Sequence, residues 1–351
     1  MKLFIAGGCG EHGRNCFLVN HAHGSFLLDC GLMAGDENGT PRLTKAQIAA
    51  LDCVFLTHSH QDHVGALPWL RAQGFAGPVV ASAETLRQLP FDAGHTLDLE
   101  HLTLDFAGLG ITWGRAGHCA GSVWYRFEDG GKSILFSGDY NEDSLTYPCD
   151  ALRGQRADLA VVDCAYGRAD FTFLSACEAL IECVRAELIT HPLLLLPVPK
   201  YGRGPDLLRL LARHFALPLY PDAHLQRELL RLPQTRDWTR ALPPQVLAHC
   251  HSYTGTEKSG LLFVSDPQLK QAEHQALAEQ LLRRGGFAVM TGSADPGSYS
   301  DTLIRQGRMA AALYPVHLNE RQFRNLAAAN HFGTVLPYHT PDFAVPDAWD
   351  I

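Results

Sequence analysis

The stretch Cys53-Val54-Phe55-Leu56-Thr57-His58-Ser59-His60-Gln61-Asp62-His63 joins a β-branched and aromatic run to a cluster of imidazoles and one carboxylate. The run predicts a strand over 53–57, and residues 64–73, which stop at Gly74, predict a helix. The cluster therefore occupies the loop at a strand's carboxyl end, where ligands gather in open α/β sheets. His58 and His60, two apart, point the same way from extended backbone, while Asp62 and His63 project differently as the chain turns. One loop can thus serve two metal ions.

Imidazole and carboxylate suit zinc, and one ion is content with three or four such groups. The loop already holds four, more than one open catalytic site needs, so a second ion and further ligands are implied. The chain offers them at predicted strand ends. Residues 134–138 run into Asp139, 335–338 run into His339, and a Gly-rich turn carries His118 just before Gly121-Ser122. Asp139 is the candidate to bridge both ions. A lone histidine is ordinarily a surface or satisfied core residue, and His21, His23, His95, His101, His191, His214, His224 and His274 are read that way. For the loop of four that reading fares badly, because grouped polar side chains at a strand end need partners.

Around this loop the first half reads as strands at 3–6, 16–19, 25–28, 79–81, 123–127, 134–136 and 159–162, with a helix at 44–51. After Asp163 longer helical patterns at 173–188, 205–215 and 268–284 alternate with apolar runs at 193–198, 216–220 and 287–290. Such alternation predicts a parallel-sheet α/β unit. A strand at 311–316, a helix at 320–330 and a strand at 334–338 then suggest that the chain re-enters its first domain.

A chain of 351 residues predicts two domains, and 46% apolar with 19% charged residues predicts a folded globule. The formal charge of -8 argues against coating nucleic acid by bulk electrostatics. A local basic groove stays open, since Lys200, Arg203, Arg209, Arg213, Arg227, Arg231, Arg236 and Arg240 share one stretch, as does a merely solvated helical face. Ten scattered cysteines without a C-x-x-C pair, and no secretory leader pattern, lead to an expectation of cytoplasmic residence. The longest apolar run, 193–198, is too short for a membrane span.

These residues resemble the H-x-H-x-D-H signature of the metallo-β-lactamase fold. The Gly7-Gly8-Cys9-Gly10 turn, Leu28-Asp29-Cys30-Gly31, the ligand loop, His118 with Gly121-Ser122, and Gly138-Asp139 follow in that family's order. Asp163-Cys164-Ala165-Tyr166-Gly167, Tyr201-Gly202-Arg203-Gly204-Pro205-Asp206-Leu207-Leu208, Leu262-Phe263-Val264-Ser265-Asp266, Thr291-Gly292, His317 and His339 resemble added motifs of the β-CASP nucleases. The chain departs from the pattern at Leu318-Asn319-Glu320 after His317, and at Thr340 after His339.

The resemblance implies an α/β fold: an αββα metallo-β-lactamase sandwich over 1–167 and 309–351, with an inserted α/β β-CASP domain over 168–308. It implies two Zn2+, with His58, His60 and His118 on one ion, Asp62, His63 and His339 on the other, and Asp139 on both. Asp62 would accept a proton, His317 would assist the departing oxygen, and Asp163 would hold His317, unless Asp163 merely caps a turn. Asp29 reads as a structural partner of the metal loop. Cys30, Cys119 and Cys164 read as buried fillers. The turns at Gly202-Arg203-Gly204-Pro205 and 292–298 either offer N–H groups to phosphates or are plain turns.

The expectation is a ribonuclease acting on single-stranded RNA. A DNA nuclease is the near rival, because nothing in the sequence reads the 2′-OH. A homodimer is left open. The metal loop alone also allows a small-molecule hydrolase of the lactonase or thioesterase type, although the long block from Asp163 to His317 argues against it. A non-catalytic scaffold subunit is the third reading, disfavoured by a candidate at every metal position.

Overall fold

Apolar side chains alternate along the strand Cys53–Phe55, and the alternation builds layers. Val54 and Leu56 join a cluster with Ile48, Leu67 and Leu70 from helical segments. Phe55 turns the other way, its ring 5.3 Å from Phe26, 5.7 Å from Tyr125 and 4.9 Å from Phe127. Tyr125 and Phe127 belong to a different sheet, so these aromatics are the seam between two sheets packed face to face.

A computed structural model of the chain describes residues 1–351 apart from 34, 37, 103, 104 and 107. The described residues divide into two compact units, one of Met1–Glu142, Cys149–Asp170 and His317–Ile351, the other of Asp143–Pro148 and Phe171–Val316. In the first unit, a seven-stranded sheet runs in the order Ala348–Asp350, Lys2–Gly7, Cys16–His21, Gly24–Leu28, Cys53–Phe55, Val79–Ala81, Thr96–Asp98. A six-stranded sheet runs His331–Tyr338, Arg156–Asp163, Lys132–Phe136, Val123–Asp129, Leu109–Arg115, Asp105–Phe106. On the outer face of this second sheet, Leu135, Ala160 and Val162 pack against Leu326 and Phe323 of the helix Glu320–Ala328. The layers are thus helix, sheet, sheet, helix.

The second unit carries a five-stranded sheet, parallel throughout: Leu219–Pro221, Gly260–Val264, Leu193–Pro197, Phe287–Met290, Met309–Ala311. Leu194, Leu196 and Val198 face one core with Leu180, Val184 and Leu207, while Leu193 and Leu195 face another with Ala278, Leu281 and Leu303. Burial on both faces explains why this strand reads as an unbroken apolar run.

Two local expectations need correction, and the strand Leu109–Arg115 adds to the expected set. The helix expected over 64–73 is two short helices, Gln61–Val64 and Leu67–Ala72. The Ala66 N–H is drawn away to Cys30 O at 2.9 Å, which interrupts the ladder and leaves Asp62 and His63 inside a helical turn. The strand expected over 311–316 is Met309–Ala311, paired with Phe287–Met290 in the second unit. Pro315 has no N–H to extend it, and Tyr314 turns inward to donate to Asp206 Oδ2 at 3.0 Å. Leu109–Arg115 is a full strand although Gly110 and Gly114 weaken its local signal; pairing with Val123–Asp129 supplies what propensity lacks.

Because Phe55 fills the seam between the sheets, Phe55→Ala should cost about 3–5 kcal/mol of stability. Urea denaturation followed through tertiary-structure signals should show the midpoint fall; an unchanged midpoint would mean that the seam contributes little.

Candidate metal centre

Parallel pairing brings the ligands to one edge. Lys132–Phe136, Arg156–Asp163 and His331–Tyr338 lie side by side and parallel, with Asp163 opposite Tyr338, so Asp139, Asp163 and His339 follow three neighbouring carboxyl ends. Cys53–Phe55 from the other sheet leads into Thr57 and His58, and His60 directly precedes the helix Gln61–Val64 that carries Asp62 and His63. His118 sits in the turn after Leu109–Arg115, and His317 lies just before the helix Glu320–Ala328.

The structure gathers all seven predicted ligands. Donor atoms of His58, His60, His118 and Asp139 lie within 4.8 Å of one another, as do those of Asp62, His63, Asp139 and His339. Asp139 belongs to both groups, and its oxygens divide between them. Oδ2 is 3.4 Å from His58 Nε2 and 3.6 Å from His118 Nε2, while Oδ1 is 3.2 Å from both His63 Nε2 and His339 Nδ1. Asp62 Oδ2 closes the second group at 3.0 Å from His339 Nε2.

A superfamily model described as metallo-beta-lactamase matches residues 9–161, which span the ligand loop, His118 and Asp139. That stretch of the chain is similar to the metallo-β-lactamase superfamily. The chain is 30% identical over 204 residues to the transcription termination factor FttA of Methanosarcina mazei, covering 48% of this chain and 32% of that protein. It is 27% identical over 260 residues to ribonuclease TTHA0252 of Thermus thermophilus, covering 66% of this chain and 60% of that protein. The chain thus spans less than two thirds of the length of these relatives. A crystal structure of a protein of unknown function from Enterococcus faecalis V583 shares the fold, with TM-score 0.58 at 12% identity and coverage of 97% of this chain and 94% of that one.

The donor set fits divalent cations on its own chemistry. His58 Nε2 and both ring nitrogens of His339 are buried without an aligned hydrogen bond, although carboxylate oxygens stand 3.0–3.4 Å away. Nitrogens aimed between oxygens rather than at them are set to share a cation, where buried polar groups otherwise find hydrogen-bond partners. Loss of water contact alone would push both carboxyls up, enclosed Asp139 and partly exposed Asp62 alike; the charge at His63 and the neighbouring imidazoles outweighs it and holds both well below the usual range. Burial likewise works against charge on His63 and His339, but the carboxylates win, raising His63 well above its ordinary value and His339 to about 10. His58 goes the other way, pushed well below by burial and by the charge at His63.

A buried framework holds the ligands. Asp29 Oδ2 accepts from His63 Nδ1 at 2.7 Å and from Thr57 Oγ1 at 2.8 Å, and its Oδ1 accepts the Thr57 N–H at 2.7 Å. Tyr338 donates its hydroxyl to Asp139 Oδ1 at 2.9 Å. Gly31 must be glycine, because a Cβ there would sit 1.7 Å from Asp62 O. Asp163 does two jobs: its oxygens accept from Tyr140 N and Ala165 N, and its Oδ2 lies 3.1 Å from His317 Nδ1. The His317 ring is 4.7 Å from that of His118 and 5.2 Å from that of His339. Cys30, Cys119 and Cys164 are buried and stand outside the ligand groups.

Sequence reasoning missed two residues here. His12 stacks on His339 with ring centroids 4.4 Å apart, and its Nδ1 donates to the His339 carbonyl at 2.9 Å. Asn15 is fully buried against Asp62 and His63. Both follow the Gly7-Gly8 turn, whose proximity to the loop is tertiary and carries no local signal. The basic stretch, in contrast, lies in the second unit and is partly spent on structure. Arg203 donates to Thr291 O, Arg209 to the carbonyls of Arg240 and Ala241, and Arg240 to Ser144 O. Gly292 makes room for Arg203, since a Cβ would meet its guanidinium at 1.9 Å.

Asp29→Ala should therefore lower metal affinity about 10–100-fold while leaving every ligand in place. Competition with a chromophoric chelator measures this directly; unchanged affinity would reduce Asp29 to a strand-end residue.

Proposed function

We propose that this protein is a metal-dependent hydrolase that cuts phosphodiester bonds of nucleic acid, with single-stranded RNA as the leading substrate and two zinc ions as its cofactors. The observation that carries the reading is the division of the Asp139 carboxylate between two imidazole-rich groups, with His317 and Asp163 alongside. His58, His60, His118 and Asp139 would hold one ion, and Asp62, His63, Asp139 and His339 the other. A pair of ions so held supplies Lewis acidity that brings a water's pKa towards neutrality and screens charge in an in-line displacement at phosphorus.

The chain's own groups do the proton work. Asp62, held anionic by its imidazole neighbours, is the acceptor for the proton of the attacking water. His317 Nδ1 is engaged by Asp163, which fixes the ring and leaves Nε2 to donate to the departing oxygen. The Thermus thermophilus relative is a ribonuclease, which supports RNA over DNA. Among the described residues no helix is long and apolar enough to cross a membrane.

Incubating purified protein with end-labelled single-stranded RNA and DNA tests the reading. RNA should be cut, cutting should stop on chelation, and Asp62→Ala and His317→Ala should each reduce the rate by about 10²–10⁴-fold. Equal activity in Asp62→Ala overturns the assignment of the site. Turnover of ester or lactone substrates with both oligonucleotides intact would move the protein to the small-molecule hydrolases.

A further inference from the structure

Asn15 stands directly before the strand Cys16–His21, and its backbone is clamped to the metal loop. Its N–H donates to Asp62 O at 2.9 Å and its carbonyl accepts from Gly31 N at 2.9 Å. Gly8, at φ +93°, leaves the space the side chain needs, because a Cβ there would lie 2.6 Å from Asn15 Oδ1. The amide therefore ends inside the group of Asp62, His63, Asp139 and His339. Nδ2 is 2.8 Å from His63 Nε2 and 3.3 Å from Asp62 Oδ2, while Oδ1 is buried without a hydrogen-bond partner.

This arrangement conflicts with cation binding as it stands. The Asn15 amide nitrogen stands against His63 Nε2, the ring nitrogen that faces Asp139 and would face a cation there, while the amide oxygen, the atom able to bind a cation, finds no partner. A half-turn of the amide about its last side-chain bond exchanges nitrogen and oxygen with almost no change of shape. We propose that Asn15 is a ligand residue: its Oδ1 turns inward and adds a neutral oxygen to the divalent ion held by Asp62, His63, Asp139 and His339. An amide oxygen raises that ion's ligand count without adding negative charge to a site that already holds two carboxylates. The inference rests on the dinuclear reading above.

The test uses the full chain loaded with Zn2+ or Co2+, comparing the parent with Asn15→Leu, Asn15→Ala and Asn15→Asp. Metal equivalents and affinities are measured by elemental analysis and chelator competition, and coordination by the visible absorption of the Co2+ proteins. In Asn15→Leu and Asn15→Ala the second equivalent should bind about tenfold or more weakly. The Co2+ bands should also intensify, as expected when coordination number falls. Asn15→Asp keeps an oxygen and should keep the parent's spectrum. Asn15→Ala, which only removes atoms, serves if Asn15→Leu does not fold. Two equivalents bound with unchanged affinity and a superimposable spectrum in the variants lacking the oxygen would overturn the ligand role alone. A parent that binds fewer than two equivalents would sink the dinuclear reading, and this inference with it.

Discussion

Two carboxylates, Asp62 and Asp139, end among five imidazoles at the edge of a β-sandwich, and Asp139 is almost completely enclosed. An isolated buried carboxylate is strongly unfavourable, so Asp139 depends on the charge at His63 and His339 beside its Oδ1 and on the imidazoles around it. That requirement dictates much of the surrounding chain. Thr57 and Asp29 fix His63, Tyr338 fixes Asp139, and Gly31 lets one strand end press against the ligand loop.

The sandwich makes such convergence reproducible. Three parallel strands deliver Asp139, Asp163 and His339 side by side, and a strand of the facing sheet delivers the loop from His58 to His63. Side chains on strand ends are positioned by sheet geometry rather than by loop flexibility, which suits a site whose donors must meet closely. Local strain accompanies this precision. Asp29 and His339 are non-glycine residues at φ 57° and 69°, a left-handed conformation that non-glycine residues rarely adopt. Each is over-determined: His339 donates its N–H to Gly8 O and its carbonyl accepts from His12, while Asp29 is locked by Thr57 and His63.

The second unit answers to a different constraint. Its sheet is parallel and covered on both faces, so its strands are apolar throughout, and polar residues inside it need internal partners. Asp206, buried there, accepts from Ser144 and Tyr314. Three arginines of the basic stretch, Arg203, Arg209 and Arg240, satisfy backbone carbonyls. Charge along a sequence is a poor guide to charge on a surface wherever backbone groups compete for the guanidinium.

The sequence by itself made the candidate donor set legible and marked an α/β unit in the second half of the chain. Imidazole and carboxylate groups at strand ends suit a metal, so the candidates His58, His60, Asp62, His63, His118, Asp139 and His339 were legible from type and position, and apolar runs such as Leu193–Pro197, alternating with helical patterns, announced a parallel sheet. Only the tertiary structure decided the rest. The division of the Asp139 oxygens, the left-handed turn at His339, the breakage of the helix after Val64, and the arrival of His12 and Asn15 at the ligands all depend on segments far apart in the chain. Local patterns report which face a residue prefers; which distant group it meets there is fixed by strand order and hydrogen bonds that no local pattern contains.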